Sequence, residues 1–459
     1  MSTPLEPDSS QRAELSSRVS EFVERWFAEM GSMDASGNDL GEEDLAALMA
    51  TPGEEGVEID AILANLALAG QSGIYHPSGG HMSYIPNSGL YTGALGELLA
   101  SALNRYTGVT GAAPGMTAIE NSVTNWITGL FDLGDAATAI LLSGGSMANF
   151  TAIAAARTNR MGERFDLGTV YLTGHTHHSV AKSARLAGLR NDQIRLVPVD
   201  GHLRMRADSL EQMVKQDAAS GLRPFLVVAS AGTTDTGTID DLEAVGAVAR
   251  DYDLWMHTDG AYGGFFQLTR RGRHRFSGID LSDSIALDPH KGLSIPFGVG
   301  ALVVKDRNHL IDANYGRAAY LNHDESYQGM RDISSLGPEL TRPFRGLPLW
   351  LPLRLHGVAP FRDALDEALD LAVHACRRLR TIEGIRSPWA PDLSIVAVGF
   401  DDDEVGRRAM EQVNADRRVH LSSTIVDDRF VLRFAILNRR TTADHVDYAI
   451  DIIEKSLIG

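Results

Sequence analysis

Apolar residues recur at helical spacing through residues 10 to 70, where Leu15, Val19, Phe22, Val23, Trp26 and Phe27 fall three or four positions apart. That spacing lines side chains up on one helix face. A polar stretch, GSMDASGNDLGEED, breaks the pattern, so the region is predicted to be an appended helical unit. The following passage, IYHPSGGHMSYIPNSGLY, is dense in Gly, Pro, Ser and Asn. Such composition predicts irregular backbone, and ordered irregular loops often line pockets.

From about 120 to 305 the pattern changes. Short apolar runs (ATAILLSG, TVYLTG, IRLVPV, PFLVVASAG, LWMHTDG, DSIALD, GALVVK) alternate with helical patterns such as MANFTAIAAARTNRM. This alternation predicts an α/β unit with a largely parallel sheet. Several runs end in small or polar clusters: SGGS, TGHTHH, SAGTTDTG, HTDGAYGG and DPHKG. Ligands of open α/β sheets sit beyond the carboxyl ends of the strands, so these clusters are expected to converge on one crevice.

After residue 345 come a long helical stretch, PLWLPLRLHGVAPFRDALDEALDLAVHACRRL, two strands (SIVAVGF and FVLRFAIL) and a closing helix, TADHVDYAIDIIEKSL. The expected division is a helical segment with a pocket loop over 1–100, a large domain over 101–345 and a small C-terminal α+β domain over 346–459. No internal repeat or low-complexity tract is evident.

Charge narrows the function classes. A net charge of −18 disfavours a general grip on nucleic acid or an anionic membrane, which both need a basic surface. The arginines at 270, 271, 273 and 275 read as a solvated loop. The start, MSTPLEPDSSQRAEL, lacks a basic region followed by an apolar stretch, no run is long enough to span a bilayer, and the single cysteine, Cys376, suits a reducing compartment. A cytoplasmic location is expected.

The segment Asp288-Pro289-His290-Lys291-Gly292 follows an apolar run and places a lysine in the expected crevice. A partly desolvated amine can react with an aldehyde, which is how pyridoxal 5′-phosphate (PLP) is anchored; a lone lysine, however, reads as an exposed loop residue. Asp259 stands at another strand end, where a carboxylate can meet a protonated pyridine nitrogen or simply cap a helix. Ser143-Gly144-Gly145-Ser146-Met147-Ala148-Asn149 links a strand to a helix. Its amides, hydroxyl and helix dipole suit a phosphate, and it matches neither dinucleotide nor P-loop fingerprints. His175, His177 and His178 invite a metal, but no cysteine or HExxH accompanies them, and no metal site is expected. No GxSxG elbow supports a serine hydrolase.

Taken in order, SGGSMAN, HTHHSVAKSARLAG, SAGTTDTGTIDD, HTDGAYGG and DSIALDPHKG resemble the group II PLP-dependent amino acid decarboxylases, the family of the aromatic-L-amino-acid and glutamate decarboxylases. The resemblance extends upstream to HPSGGHMSYIP and APGMTAIENSVTNWI. Downstream it reaches RPFRGLPLWLPLRLHGV and FVLRFAILNRR, so it covers about 70 to 455. It implies the type I fold of PLP-dependent transferases, with Lys291 carrying the cofactor and His290 beside the phosphate. Asp259 would bind the pyridine nitrogen, His177 would stack on the ring and position the substrate carboxylate, and Ala261 would pack on the other face.

The same resemblance implies Gly145 and Ser146 on the phosphate, Thr234 near the ring oxygen or the stacked histidine, and a substrate pocket that includes His81, Tyr84 and Pro86. It implies a homodimer interlocked by the helical N-terminus. A tyrosine on the stretch after the lysine, YLNHDESYQGMRDISSLGPEL, would donate a proton; Tyr327 is chosen over Tyr320. Absence of acidic residues and arginine from SGGHMSYIPNSGLY favours a substrate with a neutral side chain, aromatic or bulky aliphatic. The alternatives are a decarboxylating oxidase or aldehyde synthase, an acidic amino acid decarboxylase, and a silent member kept for binding.

Overall fold

The computed structural model describes residues 5–86, 89–314, 330, 332–386 and 389–458. All seven apolar runs form strands: β1 (Thr138–Leu142), β2 (Gly168–Leu172), β3 (Ile194–Leu196), β4 (Arg223–Ser230), β5 (Trp255–Asp259), β6 (Ser284–Leu287) and β7 (Gly300–Val304). They make one sheet in the order β1-β7-β6-β5-β4-β2-β3. Neighbours from β6 through β3 run parallel, whereas β7 is antiparallel to both β6 and β1.

The runs are apolar on both faces because both faces are covered. Along β4, Val227 and Ala229 join one buried cluster and Leu226 and Val228 the other. The same alternation holds in β1, where Ala139 and Leu141 face away from Ile140 and Leu142. Each valine, leucine or isoleucine among them contributes about 1.5–3 kcal/mol when fully buried. Helix α6 (Gly145–Met161) lies against the second face, with Ala148, Ala152, Ile153, Ala155 and Ala156 inward.

A second sheet of four strands, in the order β10-β11-β9-β8, comprises β8 (Ile385–Arg386), β9 (Ile395–Phe400), β10 (Ser422–Val426) and β11 (Arg429–Ala435). Helices Ala359–Leu379, Asp403–Asp416 and Ala443–Ile458 pack on it through one apolar cluster. The long helical stretch expected after residue 345 is two helices, Leu347–His356 and Ala359–Leu379. Gly357 separates them at φ 73°, a left-handed conformation that helix residues do not adopt. Strand β10 was not expected: its SSTIV sequence is largely polar, and pairing with β11 makes it a strand.

The N-terminal region holds α1 (Ser9–Glu29), α2 (Glu42–Leu48) and α3 (Ile59–Gly70). A capping box starts α1, with Asp8 Oδ1 accepting from the Gln11 amide and Gln11 returning the bond to the Asp8 amide, both at 2.9 Å. None of these three helices buries a single residue. Then come α4 (Tyr91–Leu103), α5 (Pro114–Thr128), α6 and α7 (His178–Leu186). The arginine run is more than a solvated loop: Arg271 pairs with Asp366 and Asp370, and Arg275 Nη1 lies 2.7 Å from Asp392, itself held by Arg204. Among the described residues, no helix is long and apolar enough to cross a membrane.

Candidate active site

Five loops at the carboxyl ends of β1, β2, β4, β5 and β6 enclose a cavity of about 270 Å³. Its lining includes Ser143 to Met147, Asn149, His177, Ser179, Gly232, Thr233, Thr234, Asp259, Ala261, Asp288, His290 and Lys291. The sheet thereby gathers on one rim residues as far apart in sequence as Ser143 and Lys291.

The floor is built from α6. Its first residue is Gly145, preceded by Gly144 at φ 157°. A Cβ on Gly145 would stand 2.9 Å from both the Ala261 Cβ and Asp288 Oδ2, so only glycine lets the helix N-terminus come this close to the β5 and β6 loops. Opposite, Gly300 at the start of β7 could not carry a Cβ, which would lie 2.4 Å from the Gly144 Cα. The exposed helix amides and dipole leave a cradle suited to an anion.

The β6 loop contributes a one-turn helix, Pro289–Gly292, in which proline at the first position needs no amide partner. Lys291 Nζ lies 2.8 Å from Asp288 Oδ2. His290 donates Nδ1–H to the Val299 carbonyl at 2.8 Å, with burial holding its pKa below the ordinary imidazole value. At the end of β5, Asp259 is nearly buried; Oδ1 accepts from the Ala261 amide at 3.1 Å and Oδ2 from Asn149 Nδ2 at 3.0 Å. His177 caps α7 and accepts from the Ser179 amide at its Nδ1. Burial lowers its pKa against the raising effect of Asp259.

The site therefore offers, within one cavity, an amine, a buried carboxylate, an imidazole, a small methyl side chain and a helix N-terminus. The sequence matches the model of the pyridoxal-dependent decarboxylase conserved domain over residues 44–399. The chain belongs to that family. It is 30% identical to the aromatic-L-amino-acid decarboxylase of Bacillus atrophaeus, over 80% of this chain and 78% of the relative. It is 28% identical to the 4-hydroxyphenylacetaldehyde synthase of Rhodiola rosea, over 82% and 80%. The crystal structure of Oryza sativa TDC with PLP and tryptamine superimposes with a TM-score of 0.93 at 25% identity, covering 100% of this chain and 99% of that one.

This pyridoxal-dependent decarboxylase, a carboxy-lyase acting on an amino acid, thus has the expected type I fold. The structure brings Lys291, His290, Asp259, Ala261, His177, Gly145, Ser146 and Thr234 to its cavity. It does not bring His81, Tyr84 or Pro86 into the lining. His81 is buried, with Nε2 2.8 Å from Ser83 Oγ, and the half-exposed Tyr84 ring stacks on His76. These residues border an adjoining aromatic patch: the His76 ring centre is 6.2 Å from that of Phe297, which is 5.9 Å from His290. Tyr320 and Tyr327 lie outside the described residues.

Among the cavity residues that sequence left without a role of their own are Asp288, Ser179 and Asn149. Asn149 carried a usable signal, since it is a polar residue four positions after Gly145 on the face that Ala148 and Ala152 bury. Asp288 and Ser179 carried none beyond their place in a motif.

Proposed function

We propose that Lys291 holds PLP in this cavity, with the phosphate on the α6 N-terminus at Gly145 and Ser146, and His290 beside it. Asp259 meets the pyridine nitrogen, His177 covers one ring face, Ala261 the other, and Thr234 borders the ring edge. The residues fit the group: the cradle at Gly145 is closed to any larger side chain, and the carboxylate, amine and imidazole lie on one rim. When bound, PLP supplies an electron sink for the bond broken at Cα.

The chain's own residues bind and orient. Asp259, fixed by two hydrogen bonds, would keep a proton on the ring nitrogen. His177 would position the substrate carboxylate, and Tyr327, carried from the family resemblance, would return a proton to Cα.

The substrate is an L-amino acid with a neutral side chain, aromatic or bulky aliphatic. Supporting this, the patch beside the cavity is formed by His76, Tyr84 and Phe297. Arg433, the buried cation nearby, is engaged by the Thr234 and Asp235 carbonyls. A second reading, oxidative release of an aldehyde, follows from the similarity to the Rhodiola aldehyde synthase.

The working unit is a homodimer in the cytoplasm. Its support is the N-terminal helices that bury nothing of their own while exposing Ile62 and Leu66; a single cysteine in the sequence, Cys376, fits a reducing compartment.

The observation that carries the reading is Lys291 at 2.8 Å from Asp288 in a cavity that also holds Asp259 and His177. The test is an absorbance scan of protein with PLP, followed by mass-spectrometric product analysis over the twenty amino acids. A visible band near about 420 nm and one amine product, both lost in Lys291→Ala, are expected. Aldehyde, peroxide and ammonia would favour the second reading, and consumption of glutamate or aspartate alone would overturn the side-chain assignment.

A further inference from the structure

Behind the cavity runs a chain of buried hydrogen bonds whose direction can be read from its ends. At one end stands the Trp255 indole, which can only donate, and its Nε1 lies 2.8 Å from Ser284 Oγ. At the other stands the Asp259 carboxylate, an acceptor, 3.0 Å from Asn149 Nδ2. Between them, Ser284 Oγ is 2.8 Å from His257 Nδ1, and His257 Nε2 is 2.9 Å from Asn149 Oδ1. Trp255, His257 and Ser284 are fully buried and Asn149 nearly so.

Each link follows. Because the carboxylate accepts, the Asn149 amide must turn its NH2 toward Asp259, which turns its oxygen toward His257. His257 therefore bears its proton on Nε2. Burial keeps that imidazole neutral, so its Nδ1 is bare and accepts from the Ser284 hydroxyl, which in turn accepts from Trp255. The direction deduced from the carboxylate end is the one the indole end demands.

The chain also branches. Asn149 Nδ2 lies 3.1 Å from Ser179 Oγ, and Ser179 Oγ lies 2.7 Å from His177 Nδ1. The Ser179 amide points at the same Nδ1, which fixes that nitrogen as an acceptor.

We propose that Asn149 is a positioning residue that uses one amide group to set two others. It orients the Asp259 carboxylate, and through Ser179 it holds His177 as the tautomer with its proton on Nε2. This rests on the cofactor reading above only for its consequence: a neutral N–H donor is then offered to an amino acid's carboxylate beside a fixed anion. Neither Asn149 nor Ser179 needs to touch a reacting atom.

The test is ¹⁵N NMR of histidine-labelled full-length protein, without and with PLP, with the His177 signals assigned by their loss in His177→Gln. In the wild type, Nδ1 should resonate as unprotonated and Nε2 as protonated. Ser179→Ala and Asn149→Ala should each shift His177 toward a mixture of tautomers, and Asn149→Ala should lower kcat on the order of tenfold with a smaller change in KM. A proton on Nδ1 in the wild type overturns the inference even if the variants do not fold, and so does a His177 pattern unchanged in both. Failure of the wild type to take up PLP would instead refute the cofactor reading and leave the tautomer result standing.

Discussion

Asp288 and Lys291 stand one helical turn apart on the β6 loop, with a carboxylate oxygen 2.8 Å from the amine. The carboxylate is 2% exposed, so its charge-assisted bond aims the lysine with little competition from water. Replacing it by alanine should slow recovery of the visible absorbance on adding PLP to stripped protein by about tenfold, with Asp288→Asn between the two. Stopped-flow absorbance measures this, and equal rates in all three proteins would show that the carboxylate does not aim the amine.

The cradle at Gly145 can be closed deliberately. In Gly145→Ala the new methyl would press on Ala261 and Asp288, and PLP affinity should fall at least about tenfold, on the order of 1.4 kcal/mol. A fluorescence titration measures the affinity, and an unchanged circular dichroism spectrum would confine the effect to the site.

Glu120 and Arg342 form an ion pair with side chains 2% and 1% exposed, and Arg342 Nη1 also donates to the Leu141 carbonyl at the end of β1. Arg342→Met strands a buried carboxylate and should destabilise by about 3–5 kcal/mol. The double variant Glu120→Leu with Arg342→Met should recover much of that loss, as chemical denaturation would report.

Burial, aided by His76 and His420, pushes the His81 pKa down to about 3. Since the unfolded chain then binds the extra proton, His81 contributes stability that is present above its ordinary value of 6.5 and is lost as pH falls. Asp240, raised to about 6 by burial, works in the opposite sense. Comparison with His81→Gln isolates the histidine: between about pH 6.5 and 5 the wild type should lose up to about 2 kcal/mol more than the variant. Urea titrations at the two pH values would detect it.

Leu66 is 53% exposed on α3, and a carboxylate there cannot enter an apolar interface without a large desolvation cost. Leu66→Asp should turn the proposed dimer into a monomer in light scattering, while a wild type already monomeric would refute the dimer.

The strands and the cavity were legible because period and punctuation coincide. Five of the seven apolar runs end in a small or polar cluster that lines the cavity, so Lys291, Asp259 and Gly145 could be found from sequence. β10 was hidden because a polar edge strand owes its form to β11, and the break at Gly357 because one glycine outweighed two apolar helices. The place of Tyr84 and His81 beside the cavity depends on His76 and Phe297, which are 221 positions apart. No local pattern reports such a meeting.

The antiparallel strand β7 has a consequence for how the molecule opens. Residues 288–299, which carry Lys291, leave one interior strand and return on the next, both fully buried. Local opening free energies rise with burial, so amide protons of β5, β6 and β7 belong to the slowest exchanging set and those of α1–α3 to the fastest. The lysine is thereby tied to the last part of the chain to come apart, and fraying at the N-terminus can proceed without loosening it.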